Sequence, residues 1–576
     1  MAPPASGRHR VAVRWFGPAR GARRTDGPGA GAAPRRPVLR VRATRPAPVV
    51  LLRSTFLRNV PMTSHRTTLP SNPRPESAPA PGPPPFHHRP VLAVAAALVL
   101  LLLSTADRYG YHSDELYFRA AGQQLDWGYV DQPPLVPLLA RTQTELLGDS
   151  PTAIRAAAAL LAGACVLLAG LIAREAGGRG PAQLLAALAT GVSASTLAYG
   201  HMLTPGSVDT VVWMAAVLLL LRMLNTGERR LWLPIGAVLG IGMLAKSLVP
   251  LLALGLLIGL LRYGPRSLLR TGWLLGGAAA GLLITLPNLV WQAVNGWPQI
   301  TMARALSESG GMPGRVELIP AQLLLLGPFL APLWVAGLVA LLRHPGWRTY
   351  RVVAGAYLAV LLILILLAGQ PRYLTGLLQV LLVFGCVAAV RWAGSHPRRA
   401  ALGSLLVANA LVAAVIALPL APAAWHRDEA LEGLSDVQTQ QMGWPEYARQ
   451  VARVHASLPA AERRDAVIVA GNYAEAGALD RYGPELGLPP VYSGHNSYHA
   501  LGRPPEGTGV VLLAGLSGIP ADQRPDPRPY FRRCEPAGPL TLRARNPWQH
   551  EDVLVCEGPR TTWAELWPKL RWLGIP

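Results

Sequence analysis

Val91–Leu139 reads VLAVAAALVLLLLSTADRYGYHSDELYFRAAGQQLDWGYVDQPPLVPLL. Its first part is an apolar run of the length that crosses a hydrocarbon core, about 20 residues. The remainder is a loop of opposite character. Asp114 and Glu115 follow the run by about eight residues, and the turn Asp131-Gln132-Pro133-Pro134 comes later. Carboxylates this close to a membrane face are costly unless they are solvated or used. One stretch therefore predicts both a membrane protein and a polar site at one of its interfaces.

The rest of the chain repeats the first half of that pattern. Apolar segments recur at about 90–106, 153–173, 181–199, 206–223, 231–245, 247–262, 271–290, 320–342, 350–368, 374–392 and 400–420, about eleven spans. The two on either side of Lys246 are short, so they form either two spans or one broken or re-entrant helix. Of the 576 residues 51% are hydrophobic and 15% charged, against roughly a quarter charged in soluble proteins. The expected fold class is a multi-spanning α-helical membrane protein.

Arginine sets the orientation, because cytoplasmic loops of membrane proteins carry the excess of basic residues. Alternate connections between the spans hold 14 Arg, with Glu175 and Glu228 as their acids. The loop at 107–150, on the other side, has three Arg against seven acids. The N-terminus is expected in the cytoplasm, with the loops at 107–150, 199–205 and 291–319 outside the cytoplasmic membrane. An odd number of spans puts the C-terminal part outside as well. The formal charge is +22, yet only Lys246 and Lys569 are lysines, and residues 1–61 carry 13 Arg and one acid. That bias reflects composition and predicts no nucleic-acid partner. Residues 1–88, rich in Pro, Gly, Ala and Arg, are expected to be disordered. Residues 1–61 are either a basic arm on the anionic inner surface or an extension upstream of a start at Met62.

Three domains follow: the segment 1–88, a membrane domain over 89–422 with an outer loop at 107–150, and an extracytoplasmic α/β domain over 423–576. In the last, AVIVA (Ala466–Ala470), GVVLL (Gly509–Leu513) and Val553–Val555 read as strands, with a helix over Ala474–Tyr482. Cys534 and Cys556 lie there as a disulfide, which persists outside the cytoplasm, or as two free thiols. The segment Thr562–Leu573, with three Trp, lies on the membrane surface or packs on the domain.

His112, Asp114 and Glu115 are close enough to build one polar site. An Asp at the boundary serves either as general base toward a hydroxyl or, like Ser113, as the cap of a short helix. The ordered set is more telling. A first span is followed by DELY (Asp114–Tyr117), DQPPL (Asp131–Leu135), Arg155, HMLTPGSVD (His201–Asp209) and GMLAKS (Gly242–Ser247). This set resembles the GT-C membrane glycosyltransferases, family 39 branch, which is similar to protein O-mannosyltransferases and lipid A aminoarabinose transferases. The resemblance covers about 90–420. The tail around Gly471–His499 resembles that of actinobacterial members. One departure is Gln132, where the family's turn often carries lysine.

The resemblance implies transfer of a sugar from a polyprenyl phosphate to a hydroxyl of a protein, glycan or glycolipid at the outer face, with inversion. Asp114 matches the family's catalytic Asp and would be the base, with Glu115 orienting the acceptor or positioning Asp114. Asp131 would bind the sugar or hold the loop. Lys246 and Arg372, with Tyr373 beside it, would hold the donor phosphate, or act as a snorkelling residue and an interfacial anchor. Arg155 would pair with a loop acid or with phosphate. His201 and Asp209 flank a Pro-Gly break and would contact substrate, His201 by binding sugar or a divalent cation unless it simply packs. No other cofactor is expected. Trp127, Tyr129 and Trp297 stack on sugar or form the aromatic belt. Two other classes compete. A transporter or lipid flippase would line an inner path with charges, usually on internal repeats; here the halves show no repeat and the polar residues gather outside. A non-catalytic assembly protein would not need both Asp114 and Glu115.

Overall fold

The computed structural model describes residues 82–422, 436–515, 526–540, 546 and 552–574. The proposed arm over 1–61 and the alternative start at Met62 lie outside the described residues. Disorder expected up to residue 88 is corrected at its last residues. Arg174 Nε donates to the carbonyl of Pro84 (2.9 Å), and Gln183 Nε2 to that of Pro85 (3.1 Å). The His87 N–H donates to Gln183 Oε1 (2.8 Å).

Helices occupy every apolar segment. In order they are α1 (His88–Thr105), α2 (Ser113–Gln123), α3 (Leu135–Leu147), α4 (Pro151–Glu175), α5 (Gly180–Gly191), α6 (Ala194–His201), α7 (Pro205–Thr226), α8 (Trp232–Met243), α9 (Val249–Tyr263), α10 (Gly272–Val294), α11 (Pro298–Leu325), α12 (Ala331–Arg343), α13 (Arg351–Leu366), α14 (Thr375–Trp392) and α15 (His396–Ala417). Their ends follow local chemistry. The Ser150 hydroxyl accepts from the Ala153 N–H and Pro151 opens α4, where a missing N–H costs nothing. Thr204 and Ser207 cap α7, and Gly227, in the left-handed region, ends it. Six described helices are long and apolar enough to cross a membrane, or eight if two bent pairs each count as one span.

Those bends break two of the segments read as single spans. α5 and α6 meet at 57°, and the segments 315–325 and 328–343 at 85°. Bent backbone in a membrane must find other hydrogen-bond partners. Asn409 of α15 supplies them for both bends: its Nδ2 donates to the carbonyls of Val192 (2.9 Å) and Leu326 (3.1 Å). Gln379 of α14 donates to Ser193 Oγ (2.7 Å) and Thr196 Oγ1 (3.0 Å) at the first bend. Elsewhere small residues let helices touch. A Cβ on Gly236 of α8 would strike the carbonyl of Gly277 on α10.

Beyond α15 come α16 (Asp436–Thr439), α17 (Trp444–Ser457), α18 (Ala460–Asp465), β1 (Ala466–Ala470), α19 (Tyr473–Tyr482), β2 (Val491–Ser493), β3 (Val510–Ala514), β4 (Phe531–Pro539) and β5 (Asp552–Pro559). The sheet order is β2-β1-β3-β5-β4, with β2, β1 and β3 parallel and β5 and β4 antiparallel. β1 and β3 are buried along their whole length, which is why they read as continuous apolar runs. β2 and β4 escaped the sequence reading: one is three residues long and the other is interrupted by charges and two prolines. Cys534 and Cys556 pair across β4 and β5 as a disulfide. The tryptophan-rich tail packs on the protein, with Trp563, Trp567 and Trp572 all buried.

One buried ion pair fastens the outer loop. Glu115 is 0% exposed and Arg155 of α4 1%. Arg155 Nε donates to Glu115 Oε1 (2.9 Å) and Nη2 to Oε2 (2.7 Å). Glu115 also accepts the N–H of Leu203 (3.0 Å) and of His112 (2.8 Å). The rest of the guanidinium donates to the carbonyls of Gly110 (2.7 Å) and Ala106. The His112 ring accepts from the Asp114 N–H (3.1 Å) and completes the cap of α2.

Losing one partner of a buried pair strands the other, at a cost on the order of 3–5 kcal/mol. Glu115→Gln is therefore expected to lower the melting temperature strongly in detergent, whereas Asp114→Asn leaves it nearly unchanged. Gly236→Leu is expected to destabilise by about 1–3 kcal/mol or more through overpacking. Gly403→Leu, where nothing stands within 4 Å of the new Cβ, serves as the control that melts like wild type.

Candidate active site

The first turn of α2 separates the two adjacent acids. Successive residues of a helix point about 100° apart. Glu115 turns into the protein. Asp114 is partly exposed, and its Oδ1 accepts a hydrogen bond from the Tyr473 hydroxyl (2.9 Å). Its Oδ2 has no hydrogen-bond partner among the described residues. The expected cap is corrected accordingly: His112, not Ser113 or Asp114, is the N-cap, with Glu115 as its capping-box partner. Glu115 is sealed by its ion pair, so the expectation that it orients an acceptor is corrected as well.

Asp131 lies across from this turn. The Tyr117 hydroxyl donates to its Oδ1 (2.8 Å), as does the Ser497 hydroxyl (3.2 Å). Loss of water around it, with the charge of Asp114 nearby, pushes its carboxyl up to about 6. Next to it Gln132 is buried, with both amide atoms unpaired among the described residues. A buried amide normally finds a partner, from protein or from ordered water. The loop is tied to the helices behind it: Asn288 Nδ2 of α10 donates to the carbonyl of Trp127 (2.7 Å), and Gln299 Nε2 of α11 to that of Tyr129 (3.1 Å). The Trp127 ring is 58% exposed and that of Trp297 43%.

The basic side is built at the break between α8 and α9. Lys246 Nζ lies 3.4 Å from Asp209 Oδ2 and 4.8 Å from the centroid of the Tyr373 ring. The indole N–H of Trp213 donates to Asp209 Oδ1 (2.7 Å). Both oxygens of Asp209 are thus engaged, one by Trp213 and one by Lys246. Arg372 is partly exposed and forms no ion pair among the described residues. It acts electrostatically on Lys246 and on Tyr473, and Tyr473 also feels Asp114 and Asp131. Two acids of the loop and one cation, Arg372, thus lie around Tyr473, and Arg372 in turn neighbours Lys246.

His201 does not join Asp209. Its Nε2 lies 3.5 Å from Arg155 Nη1, and a guanidinium is a poor neighbour for a metal-bound imidazole. Among the described residues no three His, Cys, Asp or Glu side chains are placed to hold a metal ion, so the divalent cation, one of three readings of His201, finds no ready ligand set there. Arg155 pairs with a loop acid, as one alternative had it, and is spent there. Tyr473, Ser497 and Tyr117 were missed. The tail carrying the first two was read for its strands, its helix and a family resemblance, with no site residue assigned to it, and contact between remote segments leaves no mark in a local pattern.

A protein-family model described as dolichyl-phosphate-mannose-protein mannosyltransferase matches residues 131–291. The match takes in Asp131, Arg155, His201, Asp209 and Lys246, and begins after Asp114. No curated protein matches the sequence at a significant level. Among solved structures, ArnT from Cupriavidus metallidurans in the apo state is similar, with a TM-score of 0.53 and 15% identity. The match covers 81% of this chain and 98% of that one. ArnT from the same organism bound to undecaprenyl phosphate gives a TM-score of 0.50 at 16% identity, covering 81% and 99%. The arabinofuranosyltransferase AftD from Mycobacteria gives a TM-score of 0.45 at 15% identity, covering 82% of this chain and 40% of that one. Similarity at such identities is similarity of fold. The chain therefore has the GT-C fold of membrane glycosyltransferases, and it resembles the protein O-mannosyltransferases and ArnT.

Proposed function

We propose that this chain moves a sugar from a polyprenyl phosphate to an acceptor hydroxyl at the outer face of the cytoplasmic membrane. The observation that carries the reading is a partly exposed carboxylate, Asp114, that shares Tyr473 as a neighbour with the cation Arg372, which in turn neighbours Lys246. The leaving group, a phosphate monoester, is already acidic. It needs positive charge where its own charge develops rather than a proton donor. Lys246 and Arg372 supply that charge, and Asp114 Oδ2 takes the proton of the attacking hydroxyl. Attack from the side opposite the phosphate inverts the anomeric carbon. Asp131 and the free amide of Gln132 receive the sugar hydroxyls, and Glu115 and Arg155 hold the turn that presents Asp114.

The lipid chain has room as well. A cavity of about 470 Å³ between α8, α9 and α10 is lined by Leu239, Gly240, Met243, Val249 and Ala253 among others. Its wall is almost wholly apolar, and Met243 and Val249 stand three residues to either side of Lys246. ArnT from Cupriavidus metallidurans binds undecaprenyl phosphate. For this chain the corresponding donor would lay its tail in the cavity with its phosphate at Lys246. Of the eleven crossings in this reading, six to eight rest on helices long and apolar enough to span, and α8, α9 and α13 would cross as short ones. The arginine bias supports a cytoplasmic N-terminus and an outer sheet region.

Asp114→Asn keeps shape and hydrogen bonding but not proton acceptance. Turnover by purified protein is expected to fall on the order of 100- to 10,000-fold, with donor KM little changed. Near-normal turnover would remove Asp114 as the base. Lys246→Ala is expected to raise donor KM and lower kcat together. Asp131, with its carboxyl raised to about 6, is charged above that pH and neutral below it. Donor affinity is expected to weaken as pH falls through about 6, and Asp131→Asn is expected to flatten that dependence.

A further inference from the structure

Neither acid of the outer loop is held by the loop alone. The phenol on Asp114 and a hydroxyl on Asp131 come from residues 473 and 497, beyond the last membrane helix. Two tyrosines form matching contacts: Tyr473 donates to Asp114 (2.9 Å) and Tyr117 to Asp131 (2.8 Å). Their rings stack with centroids 4.6 Å apart. The stack continues from Tyr473 to His495 (4.8 Å) and from His495 to Trp572 (3.6 Å).

Each layer of the stack is fixed by hydrogen bonds. His495 Nδ1 accepts the Tyr473 N–H (3.2 Å), which leaves Nε2–H to donate to the carbonyl of Gly574 (3.1 Å). Burial lowers this imidazole to about 3, so it stays neutral in that tautomer. Burial and the neighbouring acids raise the Tyr473 phenol well above its ordinary value, so it stays a donor. α19 is in turn bound to the loop. Arg119 pairs with Asp480 (2.9 Å) and Arg481 with Asp149 (3.2 Å). A Cβ on Gly477 would press on the backbone of Leu116, one residue beyond Glu115.

We infer that Tyr473 is a positioning residue for the proposed transfer: its hydroxyl fixes the rotamer of Asp114 by occupying Oδ1, and so leaves Oδ2 to the acceptor hydroxyl. The inference rests on the reading of Asp114 as the base. It makes the region after the membrane helices part of the active site. Ring stacking supplies rigidity and the hydroxyl supplies aim, so the two contributions can be separated by removing one oxygen atom.

The test compares Tyr473→Phe and Tyr117→Phe in full-length protein assayed with polyprenyl phosphosugar, after thermal melting of each. Both variants keep the stacked rings. Tyr473→Phe is expected to lower kcat about tenfold or more, the worth of one hydrogen bond to a charged acceptor, with donor KM within about twofold. Tyr117→Phe, acting on Asp131, is expected to raise donor KM instead. In an Asp114→Asn background Tyr473→Phe is expected to add almost nothing, since the two act as a unit. Wild-type kcat for Tyr473→Phe would overturn the inference, as would equal loss of kcat in both phenylalanine variants that follows their melting temperatures. If Asp114→Asn is itself active, the base assignment fails. If it is inactive and Tyr473→Phe is normal, only the positioning role fails.

Discussion

The ion pair between Glu115 and Arg155 is the constraint on which the site depends. Two charges removed from water this completely are tolerated only if every donor and acceptor is met. Here the carboxylate takes the guanidinium and two backbone N–H groups, and the guanidinium also reaches the carbonyls that end the first membrane helix. The demand for full satisfaction fixes α2 against α4 and the turn before α7. Asp114 inherits its position from that arrangement: one residue earlier on the same helix, it has nowhere to point but toward the open side. The costly acid organises the turn, and the cheaper one is left partly exposed.

The bilayer imposes the second division. Irregular backbone at membrane depth survives where side chains or neighbouring helices absorb its hydrogen bonds. The two bends satisfied by Asn409 and Gln379 are structural. The break between α8 and α9 is different, because it carries a lysine held by Asp209 and laid over Tyr373. A charge placed at such a break has a use, and the apolar cavity that begins beside it makes a lipid-linked anion a fitting partner.

Much of this was legible in the sequence. Long apolar runs located the helices, and the buried strands β1 and β3 appeared as AVIVA and GVVLL. A loop acid was one of the two partners read for Arg155. Legibility stopped where the structure depends on contacts between distant segments. Tyr473 and Asp114 are 359 residues apart, and nothing local marks a tyrosine at a helix start as the partner of a remote acid. His201 and Asp209 look like one site because a short Pro-Gly break joins them, yet the helix geometry sends them to different neighbours. Two adjacent carboxylates, Asp114 and Glu115, look equivalent on paper, and only the helix turn tells which is buried. Single spans were read where Gly327 and Ser193 allow bends, since hydropathy has no term for direction.

The central claim is group transfer rather than movement of an intact lipid. It is tested most directly with purified protein in liposomes, a polyprenyl phosphosugar labelled in its sugar, and an envelope extract from a deletion strain as the source of acceptor. The account predicts that label leaves the lipid and that polyprenyl phosphate appears in equal amount. Label that crosses the bilayer still attached to its lipid, with no polyprenyl phosphate released, would contradict it and point to a flippase built on the same fold.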